Sequence, residues 1–152
     1  MIELGDEKVL YAFDKELEPA LVVPSGTTVR VRTKDCFGNQ VQRPEDELDE
    51  IDWDHINPAT GPIFVEGAVP GGALKVTIEA IEFDGQTASC TGEGEGVCGD
   101  RFDAWSTHLC KIDGDELVWD EELRIPLRPM IGVIGVAPAG EPVNCGTPGS
   151  HG

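Results

Sequence analysis

The chain has 152 residues, with 11 Lys and Arg against 29 Asp and Glu and a formal net charge of −18. That length gives one domain, residues 1–152, and a hydrophobic fraction of 39% is that of a globular rather than a disordered polypeptide. The negative charge excludes nucleic acid and anionic membrane as partners, because phosphates are repelled, and 19 Gly with 11 Pro exclude a long helical bundle.

Short strands dominate the pattern. Lys8–Phe13 and Ala20–Val23 are brief apolar runs. Pro24-Ser25-Gly26 makes a turn, in which Pro sets φ and Gly tolerates φ > 0, and launches Thr27–Thr33, where Val29 and Val31 alternate with Arg30 and Arg32 as in a half-buried strand. Glu45–Ile56 is the one helix candidate, a turn or two long, and its core Glu45–Asp54 holds seven carboxylates in ten residues. Such a run reads as a solvated face, and its spacing fits no EF-hand loop. Pro70-Gly71-Gly72 repeats the turn-plus-strand construction and launches Ala73–Phe83, with Leu74, Val76 and Ile78 on one side. Further strands are expected at Gln86–Cys90, Thr107–Ile112, Glu116–Trp119 and Leu123–Leu127, with Asp113-Gly114 as a hairpin signal. Ile131–Ala137 reads as a buried strand whose glycines admit a neighbouring backbone. The sum is a mainly β fold of sandwich or barrel type with Gly- and Pro-rich loops.

Met1–Glu7 lacks the basic and apolar regions of a secretory signal, and no stretch of 18 apolar residues could span a membrane. Five cysteines, odd in number and without a CxxC pair, suit reduced thiols and a cytoplasmic location. With five Lys, the acidic surface fits either a salt-tolerant source, whose stability rises with ionic strength, or an ordinary acidic enzyme.

The string Gly94-Glu95-Gly96-Val97-Cys98-Gly99 matches GxGxxG, but Glu93, Glu95 and Asp100 would repel a pyrophosphate and no helical pattern follows, so it reads as an acidic turn. Asp35-Cys36-Phe37-Gly38-Asn39-Gln40 places a carboxylate, a thiol and two carboxamides at a strand end. Asn57-Pro58-Ala59-Thr60-Gly61-Pro62 is a stiff loop that fixes side chains with little entropic loss, or simply a connector. A Cys36 nucleophile would need a base. His55 in the acidic run and His108 in a strand read as surface or packing residues, whereas His151 lies among small residues that let an imidazole reach a ligand.

Taken together, DCFGNQ (Asp35–Gln40), INPATGPIFVEGAVPGG (Ile56–Gly72), PMIGVIGVAP (Pro129–Pro138) and NCGTPGSHG (Asn144–Gly152) resemble the N-terminal half of the acetamidase/formamidase family of amide hydrolases. The resemblance runs from about Val9 to the last residue, and only Phe83–Arg124 adds little to it. It implies hydrolysis of formamide or acetamide to the carboxylate and ammonia, by a cytoplasmic, β-rich homodimer about twice this length. It also implies a divalent metal, zinc foremost with calcium or another ion as the alternative, that polarises the amide carbonyl and activates water. Asp35 and His151 are then the catalytic residues and metal ligands, and Gln40, Asn57 and Cys36 bind substrate or support the ligands.

The chain departs from the family pattern after Gly152. In relatives the His-Gly pair runs into Gly-Asn-Met-Asp, followed by a His- and Glu-bearing GD-x-HA-x-x-G-x-GE motif. Two ligands do not hold a catalytic metal. The 152 residues are therefore expected to be an incomplete part of a larger two-part β fold, inactive or impaired unless another polypeptide supplies the rest. A non-catalytic β domain that serves binding or assembly, and an amidase using the Cys36 thiol, are the alternative readings. Downstream sequence beginning Gly-Asn-Met-Asp favours the enzyme; a natural stop after Gly152 without a partner gene favours the binding domain.

Overall fold

Backbone amides and carbonyls removed from water need partners, and short β-rich segments find them in one another. The computed structural model describes residues 1–83 and 85–146. Its first strands in chain order are β1 (Ile2–Leu4), β2 (Val9–Leu10), β3 (Ala12–Phe13), β4 (Leu21–Pro24), β5 (Val29–Val31), β6 (Ala59–Thr60) and β7 (Ile63–Glu66). There follow β8 (Gln86–Thr91), β9 (Ser106–Asp113), β10 (Glu116–Val118), β11 (Arg124–Pro126) and β12 (Val143–Asn144). Among the described residues there is no α-helix and hence no helix long and apolar enough to cross a membrane. The mainly β class expected from the sequence is the class observed.

The chain divides into two compact units. The first comprises Met1–Gly38, Trp53–Thr77 and the stretch from Ile131 onward. It is built from strand pairs: β1 with β5 and β4 with β7 are parallel, while β2 with β6 and β3 with β12 are antiparallel. Leu10, Phe13 and Cys145 are buried together, with Ala59 and Val133 packed on them. Burial pushes the Cys145 thiol pKa up, its Sγ–H donates to the Leu10 carbonyl at 3.8 Å, and a thiol held this way is structural rather than reactive. Gly135 admits the Phe13 ring: a Cβ there would lie 3.0 Å from Phe13 Cζ. The expectation that these glycines admit a backbone is thus corrected. At Gly135 the neighbour is an aromatic side chain, and at Gly132, among the described residues other than its chain neighbours, no atom lies within 4 Å of where a Cβ would be.

The second unit, Asn39–Asp52 with Ile78–Met130, holds a four-stranded antiparallel sheet in the order β11-β10-β9-β8. Asp113 pairs with Glu116 across a two-residue loop, and Gly114 at its first position has φ 60°, a conformation glycine adopts without cost. His108 is a packing residue, stacked on Trp119 with centroids 4.4 Å apart and its Nε2 2.7 Å from the Trp119 carbonyl oxygen. Cys110 is buried, which raises its thiol pKa. The GxGxxG string is a turn closed by the Gly94 N–H donating to the Gly99 carbonyl (3.1 Å), with only a three-residue 3-10 turn, Gly99–Arg101, after it.

One expectation needs correction here, while the acidic run keeps to the short end of the turn or two expected, a single 3-10 turn at Trp53–His55. Asp46 explains part of this: its Oδ2 accepts from the Gln42 and Arg43 amides (2.8 and 2.9 Å), a local bond that competes with helix formation, while clustered carboxylates repel one another. The segments Ala73–Phe83 and Ile131–Ala137 are not strands, although their sequence is strand-like, because no ladder partner reaches either among the described residues.

Asp46 carries a pH prediction. Its hydrogen bond and ion pair with Arg43 (2.7 Å), and the two amides, hold its pKa below the usual carboxylate value. A depressed folded-state pKa contributes stability above the unfolded-state value, and that stability is lost as pH falls through the folded-state value. Asp46→Asn is therefore expected to lower the melting temperature by a few degrees at pH 7. The gap to the parent should close on titration below the ordinary carboxylate range. A gap that persisted in acid would assign the loss to something other than this charge.

Candidate functional site

The first unit brings three of the sequence-identified segments together. Asp35 lies between two points at which the 57–62 loop is fastened to the segment following β5. On one side the Asn57 N–H donates to the Cys36 carbonyl at 2.7 Å. On the other the Thr60 hydroxyl donates to the Arg32 carbonyl at 2.8 Å. The loop is held from its far end as well, through Gly61 N–H to the Lys8 carbonyl and Ala20 N–H to the Pro62 carbonyl. The stiff loop is therefore fastened to the chain on both sides of Asp35.

Asp35 itself opens a turn. Its Oδ1 accepts from the Phe37 N–H at 3.0 Å and its carbonyl from the Gly38 N–H at 3.0 Å. Gly38 and Asn39 follow in left-handed conformations, φ 67° and 62°, residue types that reach this region at least cost. Both Asp35 and Cys36 are exposed. The carboxylate is thus oriented by its own turn and accessible to solvent.

Asn57 also has a left-handed backbone, φ 50°, directly before a proline. A Cβ placed on Gly146 would lie 3.2 Å from both Asn57 Nδ2 and Asn144 Oδ1, so the third segment runs close past the Asn57 carboxamide. The Gly146 N–H donates to Asn144 Oδ1 (2.7 Å), and the Cys145 N–H donates to the Tyr11 carbonyl (2.9 Å). Tyr11 meets His55 edge to face, ring centroids 4.7 Å apart.

The remaining positions stand differently. Gln40 belongs to the second unit, where its carboxamide closes the 40–52 loop: Nε2 donates to the Asp52 carbonyl at 3.2 Å and Oε1 accepts from the Asp52 N–H at 2.8 Å. His151 lies outside the described residues. Among the described residues, no three His, Cys, Asp or Glu side chains are grouped to hold a metal ion. Taken alone, they do not make up the donor set of a catalytic metal.

Sequence reading passed over one feature of this site, Asn144, which inside a matched segment holds the chain into Gly146; His55, read as a surface or packing residue, is exposed and packs edge-on against Tyr11. The Asn-Cys-Gly turn signal could have found Asn144.

Comparison with known proteins gives the site its context. The acetamidase/formamidase family model matches residues 4–144. A solved acetamidase from Bacillus halodurans is 42% identical with a TM-score of 0.86, covering 99% of this chain and 51% of its own length. A recombinant predicted acetamidase/formamidase from the thermophile Thermoanaerobacter tengcongensis is 48% identical with a TM-score of 0.91, over 99% of this chain and 50% of its own. An acetamidase from Yersinia enterocolitica, at 21% identity and a TM-score of 0.75, shares the fold. None of the curated proteins matches the chain. The chain spans about half the length of the solved structures it matches. By the match of its family model, the chain belongs to the acetamidase/formamidase family.

Proposed function

We propose that this chain carries part of the active site of an enzyme that hydrolyses short aliphatic amides, formamide or acetamide, to the carboxylate and ammonia. The observation that carries the reading is the clamp: Asp35, exposed, lies in the chain between two loop attachments, and the Asn57 carboxamide of that loop lies close against the segment entering Gly146. A carboxamide presents both a donor and an acceptor, the complement of a primary amide's carbonyl and NH2. In this reading Asn57 orients the substrate and the Asp35 carboxylate accepts a proton from the attacking water. Cys36, whose carbonyl accepts from the Asn57 N–H, supports the turn that carries Asp35.

A hard carboxylate with the His151 imidazole suits zinc, or calcium or another divalent ion, completed by ligands from outside residues 1–152. When bound, such an ion supplies polarisation of the amide carbonyl and a lowered pKa for water. We further propose a cytoplasmic homodimer for the complete enzyme.

Ammonia release from acetamide by the complete enzyme, measured before and after chelation and again after adding back zinc, tests this part. Loss on chelation with recovery on zinc is expected. Unchanged turnover in metal-free protein overturns the metal assignment and leaves the thiol reading as the stronger one.

A further inference from the structure

Arg32 is gripped from two sides. It follows β5 directly, and its N–H donates to the Leu4 carbonyl at 2.8 Å, at the end of the parallel β1–β5 pairing. Its carbonyl accepts from the Thr60 hydroxyl at 2.8 Å. Thr60 is anchored in turn. It stands opposite Val9 in the antiparallel β2–β6 pair, and the next amide, that of Gly61, donates to the Lys8 carbonyl at 3.2 Å. One hydroxyl therefore joins the β1–β5 pair to the β2–β6 pair, where the chain leaves β5 on its way to Asp35. Stability gives little reason for this bond. Arg32 is exposed and Thr60 half-buried, so water can take the hydroxyl's place at the carbonyl at small cost. What water does not supply is a fixed distance between the two segments.

We propose that Thr60 is a positioning residue for the amide hydrolysis, its hydroxyl fixing the chain that enters Asp35 relative to the loop that carries Asn57. The inference rests on the roles proposed above, Asp35 as proton acceptor and Asn57 as the group that orients the amide. Thr60 lies in the same stiff loop as Asn57, and the carbonyl it holds lies in the same segment as Asp35. A shift of one against the other changes the distance from carboxylate to substrate, to which rate is steeply sensitive. Threonine suits the task. Its β-branched side chain is stiff at χ1, which holds the hydroxyl in place, and it fits a strand. Serine offers the same donor on a looser side chain, and valine fills nearly the same volume without a donor.

The test compares Thr60→Val and Thr60→Ser in the complete enzyme, with acetamide as substrate. Thr60→Val should lower kcat about 10–100-fold, with KM within about 3-fold of the parent and the melting temperature within a few degrees. Thr60→Ser should recover most of that rate. In an Asp35→Asn background Thr60→Val should cost less than about 3-fold more, because the carboxylate through which it acts is already gone. A second readout needs no turnover. The Phe37 and Gly38 amides, whose bonds to Asp35 close its turn, should exchange about 10-fold faster in the Val variant than in the parent or the Ser variant. Parental kcat or parental exchange in the Val variant, a loss that Ser does not recover, or a full further loss on top of Asp35→Asn overturns the proposal. A Val variant that does not fold makes the hydroxyl structural and overturns it too. Failure of the amidase reading is distinct: a parent that releases no ammonia, or Asp35→Asn at the parental rate, removes the role of Asp35 and with it that of Thr60.

Discussion

Asp35→Ala in the complete enzyme is expected to lower kcat/KM for acetamide on the order of 10²–10³-fold or more, with a melting temperature only a few degrees lower. The small structural effect follows from the contacts. The side chain is exposed, and on its loss the turn retains the Gly38 N–H to Asp35 carbonyl bond and both loop attachments. Asp35→Asn separates the two roles further. It keeps an oxygen to accept from Phe37 and so keeps the turn, but it removes the negative charge. If the carboxylate acts in catalysis, Asn is nearly as inactive as Ala; if it only shapes the turn, Asn restores the rate. His151→Ala is expected to cost a comparable factor. Cys36→Ser should stay within several-fold of the parent, and the thiol-amidase reading requires the reverse order.

Phe13→Ala is expected to destabilise the chain by about 3–5 kcal/mol, a large part of the roughly 5–15 kcal/mol available to a domain. The ring is 7% exposed, shares a small core with Leu10 and Cys145, and packs on Val133 and Gly135. Few side chains make up this core, so the cavity cannot be refilled by neighbours. Gly135→Ala acts on the same contact from the other side. Its new methyl would meet the ring at 3.0–3.1 Å, and overpacking of this kind costs about 1–3 kcal/mol. The two changes should be markedly non-additive in denaturant titrations, because the methyl added by the second occupies space that the first vacates when it removes the ring. Additive losses would mean that the ring and the glycine are not in contact in solution.

Where a segment finds its partner nearby, the sequence told its structure well. The strands Gln86–Thr91, Ser106–Asp113, Glu116–Val118 and Arg124–Pro126 lie close to their expected places because each pairs with a neighbour along the chain, and Asp113-Gly114 marks the loop between two of them. β12 was not legible: two residues pairing with β3, some 130 positions earlier, leave no periodic trace. Ala73–Phe83 and Ile131–Ala137 were legible as pattern but not as structure, since alternation describes a face and says nothing of what covers it. The site divides the same way. Asp35, Cys36 and Asn57 fall in turn-rich segments that the sequence marks, and the bond from the Asn57 N–H to the Cys36 carbonyl joins those segments. Gln40 lies within the same hexapeptide, yet its carboxamide closes a different loop, because a two-residue left-handed turn redirects the chain after Phe37.

The central proposal is that this chain carries part of the active site of an amide hydrolase. Ammonia release from acetamide and formamide, measured for the 152-residue chain alone and for its purified complex with the complementary half, tests it most directly. The account predicts turnover by the complex that vanishes with Asp35→Asn, and little or none by the chain alone. A complex that assembles yet releases no ammonia from either amide would contradict the amidase reading, and full activity from the chain alone would contradict the shared site.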